Sequence, residues 1–209
     1  MNALQEVWIR PRKVFREISN QPVGVADIVL SAVQGVVGFL AVAQLTDLGK
    51  SNGAGQIFVK AALDGSVNGI AIIWIQAWIY TWMGQRAGGG ATRTQIIHVL
   101  AYGGAPLFGS LAIWCLAAAL LGSDAFIQQA GDQTDNFVIL LMILQVVAHT
   151  ILGLWSVVLQ IMGLSEMNKL PTRGAIGTFL VGLFLAALFW LVIRVLLAAL
   201  GWSVPAPPA

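Results

Sequence analysis

Five long apolar stretches constrain the fold of this chain more than any other feature of its sequence. They cover approximately residues 25–46, 56–84, 96–121, 137–164 and 174–200. Each can cross a hydrocarbon core about 30 Å thick, which requires about 20 helical residues. Uninterrupted runs such as FLVGLFLAALFWLVI favour helices, because barrel strands would alternate over about ten residues. The sequence therefore predicts an all-α integral membrane protein with five transmembrane helices.

The composition agrees with a bilayer as the surrounding solvent. Of the 209 residues, 58% are apolar and only 10% are charged. Soluble domains have about 45–50% apolar and about 25% charged residues, so this chain has too little polar surface to face water on all sides. A single cysteine excludes a disulfide scaffold, and a net charge of +2 argues against nucleic acid as a partner.

The basic residues predict how the helices are oriented. Eight of the 11 basic residues fall on the side of the N-terminus: Arg10, Arg12, Lys13, Arg16, Arg86, Arg93, Lys169 and Arg173. The opposite side has Lys50 and Lys60, and Arg194 lies inside the fifth stretch. Because cytoplasmic loops are enriched in Lys and Arg, we expect a cytoplasmic N-terminus and an extracytoplasmic C-terminus. Residues 41–43 resemble a signal-peptidase site, but the long preamble with charges of both signs disfavours cleavage.

Residues 1–24 precede the first stretch and predict a cytoplasmic amphipathic helix at the membrane surface. Pro11 suits a first helical position, and Val14, Phe15 and Ile18 share one face. The opposite face carries Arg12, Lys13 and Arg16. Such a helix can lie in the headgroup layer with its cations near anionic lipid. It serves either as a topology anchor alone or as a docking surface for a soluble partner. Residues 201–209 form a proline-rich tail.

Three segments in order resemble the Yip (Ypt-interacting protein) family. The family's cytoplasmic entry, with a proline and a phenylalanine a few residues apart, is similar to WIRPRKVFREISNQP. Its passage from the second to the third helix is similar to YTWMGQRAGGGATRTQIIHVLAYGGAP. Its passage from the fourth to the fifth helix is similar to LWSVVLQIMGLSEMNKLPTRGA, including a Gly-Leu-x-Glu turn. The segments cover about a third of the chain.

The resemblance is closest to the compact bacterial members, because the segment before the first span is shorter than in eukaryotic members. It implies a multi-pass protein of the bacterial inner (cytoplasmic) membrane. Eukaryotic relatives are associated with Rab GTPases and with traffic between the Golgi and the endoplasmic reticulum. For bacterial members the family implies no settled biochemical activity.

Two polar positions inside the predicted spans are expensive to bury. Inserting an arginine such as Arg194 at the centre of a membrane helix costs about 2.5–3.5 kcal/mol on insertion scales. It lies about 9 Å from the outer helix end, so its side chain can extend to lipid headgroups or to Asp132 or Asp135. Binding of an anionic substrate or lipid headgroup is the alternative. His149, with Gln145 one turn away, requires a partner within the bundle.

For His149 the expected partner is Gln34 or Gln76, and a proton relay or ligand site is the alternative. His98 lies near the cytoplasmic face, and the difference in depth excludes a metal site shared by the two histidines. Asp27 opens the first helix and is interpreted as a cap. Glu166 is expected to pair locally with Lys169 or Arg173, or to contact a partner.

Glycines and a proline interrupt two regions of the chain. Gly88, Gly89 and Gly90 predict a tight turn between helices, since no phosphate-loop pattern surrounds them. Gly103, Gly104 and Pro106 predict a break in the third helix that either kinks it for packing or frees carbonyls to line a cavity. Tyr102 precedes the break and can supply a hydroxyl there.

These residues lead to two functional hypotheses. No catalytic triad, carboxylate pair or zinc spacing is present, so we predict no enzyme activity, no metal and no cofactor. The first hypothesis is an adaptor, assembly factor or membrane organiser that acts through protein or lipid contacts at Phe15, Arg16 and Glu166. Its partners would be the bilayer and a membrane or cytoplasmic protein, or a second copy of the chain. The alternative is a small-solute or lipid transporter with a cavity lined by Arg194, His149, Gln145, Gln76 and Tyr102.

Overall fold

A computed structural model describes residues 3–127 and 136–199, without the side chains of residues 190, 193, 194 and 196–199. The described residues contain helices and no strand. Five helical stretches are long and apolar enough to cross a membrane: Val25–Leu45, Ala54–Arg86, Arg93–Phe126, Asn136–Asn168 and Thr172–Phe189. The predicted all-α fold with five transmembrane helices is confirmed.

The helices are numbered in chain order. They are α1 (Ala3–Glu6), α2 (Pro11–Ile18), α3 (Val25–Leu45), α4 (Ala54–Lys60), α5 (Ser66–Arg86), α6 (Arg93–Gly103), α7 (Leu107–Leu121), α8 (Asn136–Asn168) and α9 (Thr172–Ala199). A π-helical turn, Ala61–Gly65, joins α4 to α5. Helices α3, α6 and α9 begin on the side where α5 and α8 end, and we call this the N-terminal side.

Close backbone contact joins the first two spans. A Cβ atom added to Gly35 of α3 would collide with the backbone of Gly65 and Gly69, and one added to Gly69 would collide with Gly35 and the carbonyl of Ser31. Small residues permit this approach, which in a bilayer is a main source of helix association. Helix α5 also packs against α6 and α9.

The third span is broken as the sequence predicts. Helix α6 ends at Gly103 and α7 begins at Leu107, directly after Pro106, which has no N–H to donate. The Gln34 side chain donates to the carbonyls of residues 100 and 101, at 3.2 and 3.1 Å. Ser156 Oγ donates to the Gly103 carbonyl at 2.9 Å. Neighbouring helices thus bond to these carbonyls, and the break serves packing.

The fourth span differs from its sequence interpretation at one end. Helix α8 continues to Asn168, so residues 163–166 lie within its last two helical turns rather than in a turn between helices. The chain reverses only at Lys169, which has a positive φ of 53°. Ser165 helps to close the helix, because its hydroxyl donates to the Leu170 carbonyl at 2.8 Å. Glu166 is therefore held on a regular helix.

Two hydrophobic clusters form the interior of the bundle. The cluster nearer the N-terminal side contains Phe15, Leu30, Tyr80, Leu100 and Leu164 among its buried side chains. The cluster at the opposite end is built around Trp114 and Phe126, whose rings stack with centroids 5.3 Å apart. The candidate polar residues divide between the two clusters.

Candidate functional site

The amphipathic helix α2 packs on the bundle. Val14, Phe15 and Ile18 are buried, and Phe15 is 0% exposed. Its ring lies over Gly163 of α8, where an added Cβ would approach Phe15 Cε2 to 2.9 Å. The predicted amphipathic helix is present, but its apolar face is covered by α6 and α8 instead of lipid. Phe15 belongs to the core, so it offers no free surface to a partner.

An ion pair joins the polar side of α2 to the end of α8. Arg16 Nε lies 3.1 Å from Glu166 Oε1, and the two side chains are 67% and 22% exposed. The expected local pairing of Glu166 with Lys169 or Arg173 is not seen among the described ion pairs. Two of the three predicted contact residues, Arg16 and Glu166, are therefore neighbours on the surface. An exposed pair of this kind contributes about 0–1 kcal/mol, so the buried Phe15 side chain contributes more to holding α2.

A second ion pair ties α1 to α2. Lys13 Nζ lies 2.6 Å from Glu6 Oε1 and 3.5 Å from Glu17 Oε1. The hydrogen bond from Lys13 lowers the pKa of the Glu6 carboxyl below its ordinary value, and the same bond raises the pKa of Lys13. Glu6 is buried although it carries a charge, since Lys13 partners it.

A buried polar group joins the linker before α3 to α3 and α6. His98 Nδ1 lies 2.7 Å from Asp27 Oδ1, and His98 Nε2 lies 3.1 Å from the Gln21 carbonyl oxygen. The side chains of His98 and Asp27 are only 2% and 4% exposed. The other Asp27 oxygen accepts the Gly24 N–H at 2.8 Å, which confirms its interpretation as a cap. Both ring nitrogens face acceptors, the arrangement of an imidazolium paired with a carboxylate.

The pairing of Asp27 with His98 was not predicted from the sequence, which indicates only a helix cap for Asp27 and a position near the cytoplasmic face for His98. They are 71 residues apart in the chain. A usable signal was nevertheless present, because each lies within two turns of the start of a helix that begins on the N-terminal side. Ionisable groups at the same depth in a membrane protein are candidate partners.

The end of α5 and the glycine-rich turn after it pack closely around the side chain of Asn168, the last residue of α8. Gly88 has a φ of +87°, and the Gly89 N–H donates to the Gly84 carbonyl at 2.8 Å, so this is the predicted tight turn. A Cβ atom at Gly84 or at Gly89 would collide with the Asn168 side chain. The Asn168 amide donates to the Leu164 carbonyl at 3.2 Å. The role of Asn168 was not predicted from the sequence, because no distinguishing pattern surrounds this residue.

The candidate intramembrane residues are dispersed. His149 stacks on Trp114 of α7 with centroids 5.0 Å apart, in the cluster away from the N-terminal side, whereas Tyr102 belongs to the other cluster. Gln76 is half-buried on α5. The Arg194 side chain, like Asp132 and Asp135, lies outside the described residues.

Gln145 and His149 lie one turn apart on the face of α8 that meets α7. Gln145 is 4% exposed and lines a groove of about 240 Å³ between the two helices. The side-chain polar atoms of both residues are buried without a hydrogen-bond partner in the part of the chain that is described. Among the described residues, His149 thus bonds to neither of its two expected partners, Gln34 and Gln76. The Gln34 amide bonds to α6 instead.

Charge is distributed unevenly on the N-terminal side. Its acidic residues, Glu6, Glu17, Asp27 and Glu166, all have ion-pair partners. Six cations have no ion pair among the described residues: Arg10, Arg12, Arg86, Arg93, Lys169 and Arg173. The surface on this side is consequently basic and available to anionic partners.

Comparison with known proteins agrees with this architecture. A family model described as the Yip1 domain matches residues 6–204. No curated protein and no solved structure matches the chain. The matched range begins in α1, where Glu6 meets Lys13, and includes all five spans. The resemblance seen in three short segments extends to nearly the whole sequence, and the chain belongs to the Yip1 domain family of polytopic membrane proteins.

Proposed function

We propose that this protein is a non-enzymatic adaptor of the bacterial inner membrane, with its N-terminus in the cytoplasm. The concentration of Lys and Arg on the N-terminal side supports that orientation. Its working surface is the exposed side of the α1–α2 segment together with the end of α8. Its partner is a protein with an acidic surface, or an acidic surface of a second copy.

The observation that carries the proposal is the packing of the apolar face of α2 on the bundle. A helix that served only as a topology anchor would turn its apolar face to lipid. Here the protein covers that face, with Phe15 fully buried, and Arg12 and Arg16 are left exposed. The polar side of α2 is thus held in one orientation, which reduces the entropy lost when a partner binds.

A groove beside α2 supplies an apolar contact for the partner. It has a volume of about 330 Å³ and is lined by Ile9, Arg10, Pro11, Arg12, Lys13 and Met162. Ile9 is 77% exposed, and Arg10 and Arg12 have no ion pair among the described residues. An apolar floor with a cationic rim suits an acidic segment that carries one apolar side chain.

Site-specific photo-crosslinking in intact membranes tests the proposal. A photoreactive residue replacing Arg12 should capture one protein of defined mass, identified by mass spectrometry. Arg10→Glu should abolish that capture, whereas the matched reversal Arg86→Glu, at the end of α5, should preserve it. Capture of lipid alone, or protein capture insensitive to Arg10→Glu, would refute the adaptor role.

A transporter is the second candidate function, favoured by the unpartnered polar atoms of Gln145 and His149. A translocated solute or lipid would supply the missing hydrogen bonds as it passes between α7 and α8. Gln145→Leu and His149→Leu should then abolish solute or lipid flux in reconstituted vesicles. Under the adaptor proposal, both variants retain crosslinking at position 12.

A further inference from the structure

A groove on the lipid-facing side of α5 has an unusual lining. It lies between α5 and α9, has a volume of about 310 Å³, and includes Trp74, Trp78, Phe189 and Arg93. Trp74 and Trp78 are 44% and 59% exposed. Because they are four residues apart, their indoles lie one above the other on one face of α5.

Trp74 and Trp78 lie deeper along α5 than the tryptophans that typically line the membrane–water interface. Helix α5 ends at Arg86 on the N-terminal side, and Trp82 lies one turn before that end. Arg86 Cζ lies 4.6 Å from the centre of the Trp82 ring, which is an ordinary interfacial arrangement. Trp78 lies about 12 Å and Trp74 about 18 Å from the helix end, within the hydrocarbon region.

The end of the groove nearest the N-terminal side is cationic. Arg93 is the first residue of α6 and contributes to the groove wall. It is exposed and has no ion pair among the described residues, and the acids on this side are paired elsewhere. Thr92 caps α6 by accepting the Gln95 N–H, so the positive end of that helix adds to the field.

We propose that this groove binds an anionic phospholipid. The phosphate is held by the Arg93 guanidinium, whose planar N–H donors match phosphate oxygens. One acyl chain lies along the indoles of Trp78 and Trp74 in the apolar part of the groove. Basic pockets between transmembrane helices recognise anionic headgroups in this way, and charge complementarity at Arg93 selects such a lipid over a zwitterionic one.

Fluorescence quenching by lipids with brominated acyl chains tests this site directly. The full-length protein is reconstituted in phosphatidylcholine vesicles that contain brominated phosphatidylglycerol or, at equal mole fraction, brominated phosphatidylcholine. The anionic lipid should quench more strongly. Replacing Trp74 and Trp78 together by Phe should remove the excess quenching, and the matched Trp155→Phe, at a 38% exposed position on α8, should retain it.

The role of Arg93 is tested by two matched substitutions of exposed arginines. Arg93→Gln should raise the mole fraction of phosphatidylglycerol needed for half-maximal excess quenching by about fivefold, the contribution of one cation near a membrane surface. Arg12→Gln should leave it unchanged. Far-UV circular dichroism verifies that both variants fold.

Three results would overturn the proposal. The first is equal quenching by the two brominated lipids. The second is excess quenching that persists when Trp74 and Trp78 are both Phe. The third is an equal shift for Arg12→Gln and Arg93→Gln, which would show general attraction to a basic surface instead of a site between α5 and α9.

Discussion

The buried pair of Asp27 and His98 should be energetically coupled, and a double-mutant cycle tests this. The cycle consists of Asp27→Leu, His98→Leu and the variant that carries both substitutions. Leucine is chosen because it is apolar and close in size to either side chain. Each single variant leaves one polar partner buried, whereas the double variant leaves neither.

The geometry gives the expected size of each effect. His98→Leu leaves a carboxylate that is 4% exposed and keeps only its bond to Gly24, so it should cost about 3–5 kcal/mol of unfolding free energy. Asp27→Leu should cost about 1–3 kcal/mol, because the imidazole can become neutral and still donate to Gln21. The loss of unfolding free energy in the double variant should be smaller than the sum of the losses in the two single variants by at least about 1 kcal/mol. Contacting residues usually show a coupling energy of about 0.5–3 kcal/mol.

The measurement is reversible unfolding by sodium dodecyl sulfate in mixed micelles, followed by circular dichroism. Hydrogen exchange of residues 19–24 supplies a local readout, because His98 holds the Gln21 carbonyl. His149→Leu is the matched control: its ring nitrogens have no partner to lose among the described residues, so its cost should be well below that of His98→Leu.

Additive single effects, with a coupling below about 0.5 kcal/mol, would refute the reasoning. So would equal losses for His98→Leu and His149→Leu, because packing alone would then explain both. Unchanged exchange of residues 19–24 in His98→Leu would show that this pair does not fix the linker.

Three further predictions concern packing and pH. Phe15→Ala should cost about 3–5 kcal/mol and release α2, measured as faster tryptic cleavage of the N-terminal segment. Gly35→Ala forces a Cβ atom into the facing backbone of the second span, so it should lower the free energy of unfolding by at least about 1–3 kcal/mol. At Gly38 an added Cβ atom meets nothing within 4 Å, so Gly38→Ala should raise the free energy of unfolding by up to about 1 kcal/mol in the same assay. The hydrogen bond between Glu6 and Lys13 should hold α1 against α2 only between a lower and an upper pH limit. Its contribution is complete above the ordinary carboxyl pKa of 4.5 and is lost as pH falls through the lowered pKa of Glu6. It is complete below the ordinary amine pKa of 10.5 and is lost as pH rises through the raised pKa of Lys13. The hydrogen-exchange protection factors of residues 3–10, taken relative to the unprotected peptide at the same pH, should therefore fall at both extremes.

The transmembrane architecture was predictable because it depends on local properties. Hydrophobic length identifies a span wherever the span packs, and Pro106 removes a backbone donor whatever surrounds it. The same applies to the left-handed Gly88 in its turn. The candidate site was predicted less well, because partnership between side chains depends on how the spans are arranged around one another. Glu166 illustrates this: sequence proximity suggested Lys169 or Arg173, and the fold presents Arg16.

The amino-acid sequence is enough to predict five membrane-spanning helices, an amphipathic helix before them and a basic N-terminal side. These properties follow from transfer free energies and from helical periodicity, and both depend only on residues that are close together in the chain. The packing of the helices is needed to show that Phe15 belongs to the core, that Asp27 contacts His98 and that Arg93 borders a groove lined with tryptophan. Buried polar groups and apolar faces pair with the residues that the packed helices bring within reach, and these residues are too far apart in the chain for a local pattern to indicate the contact.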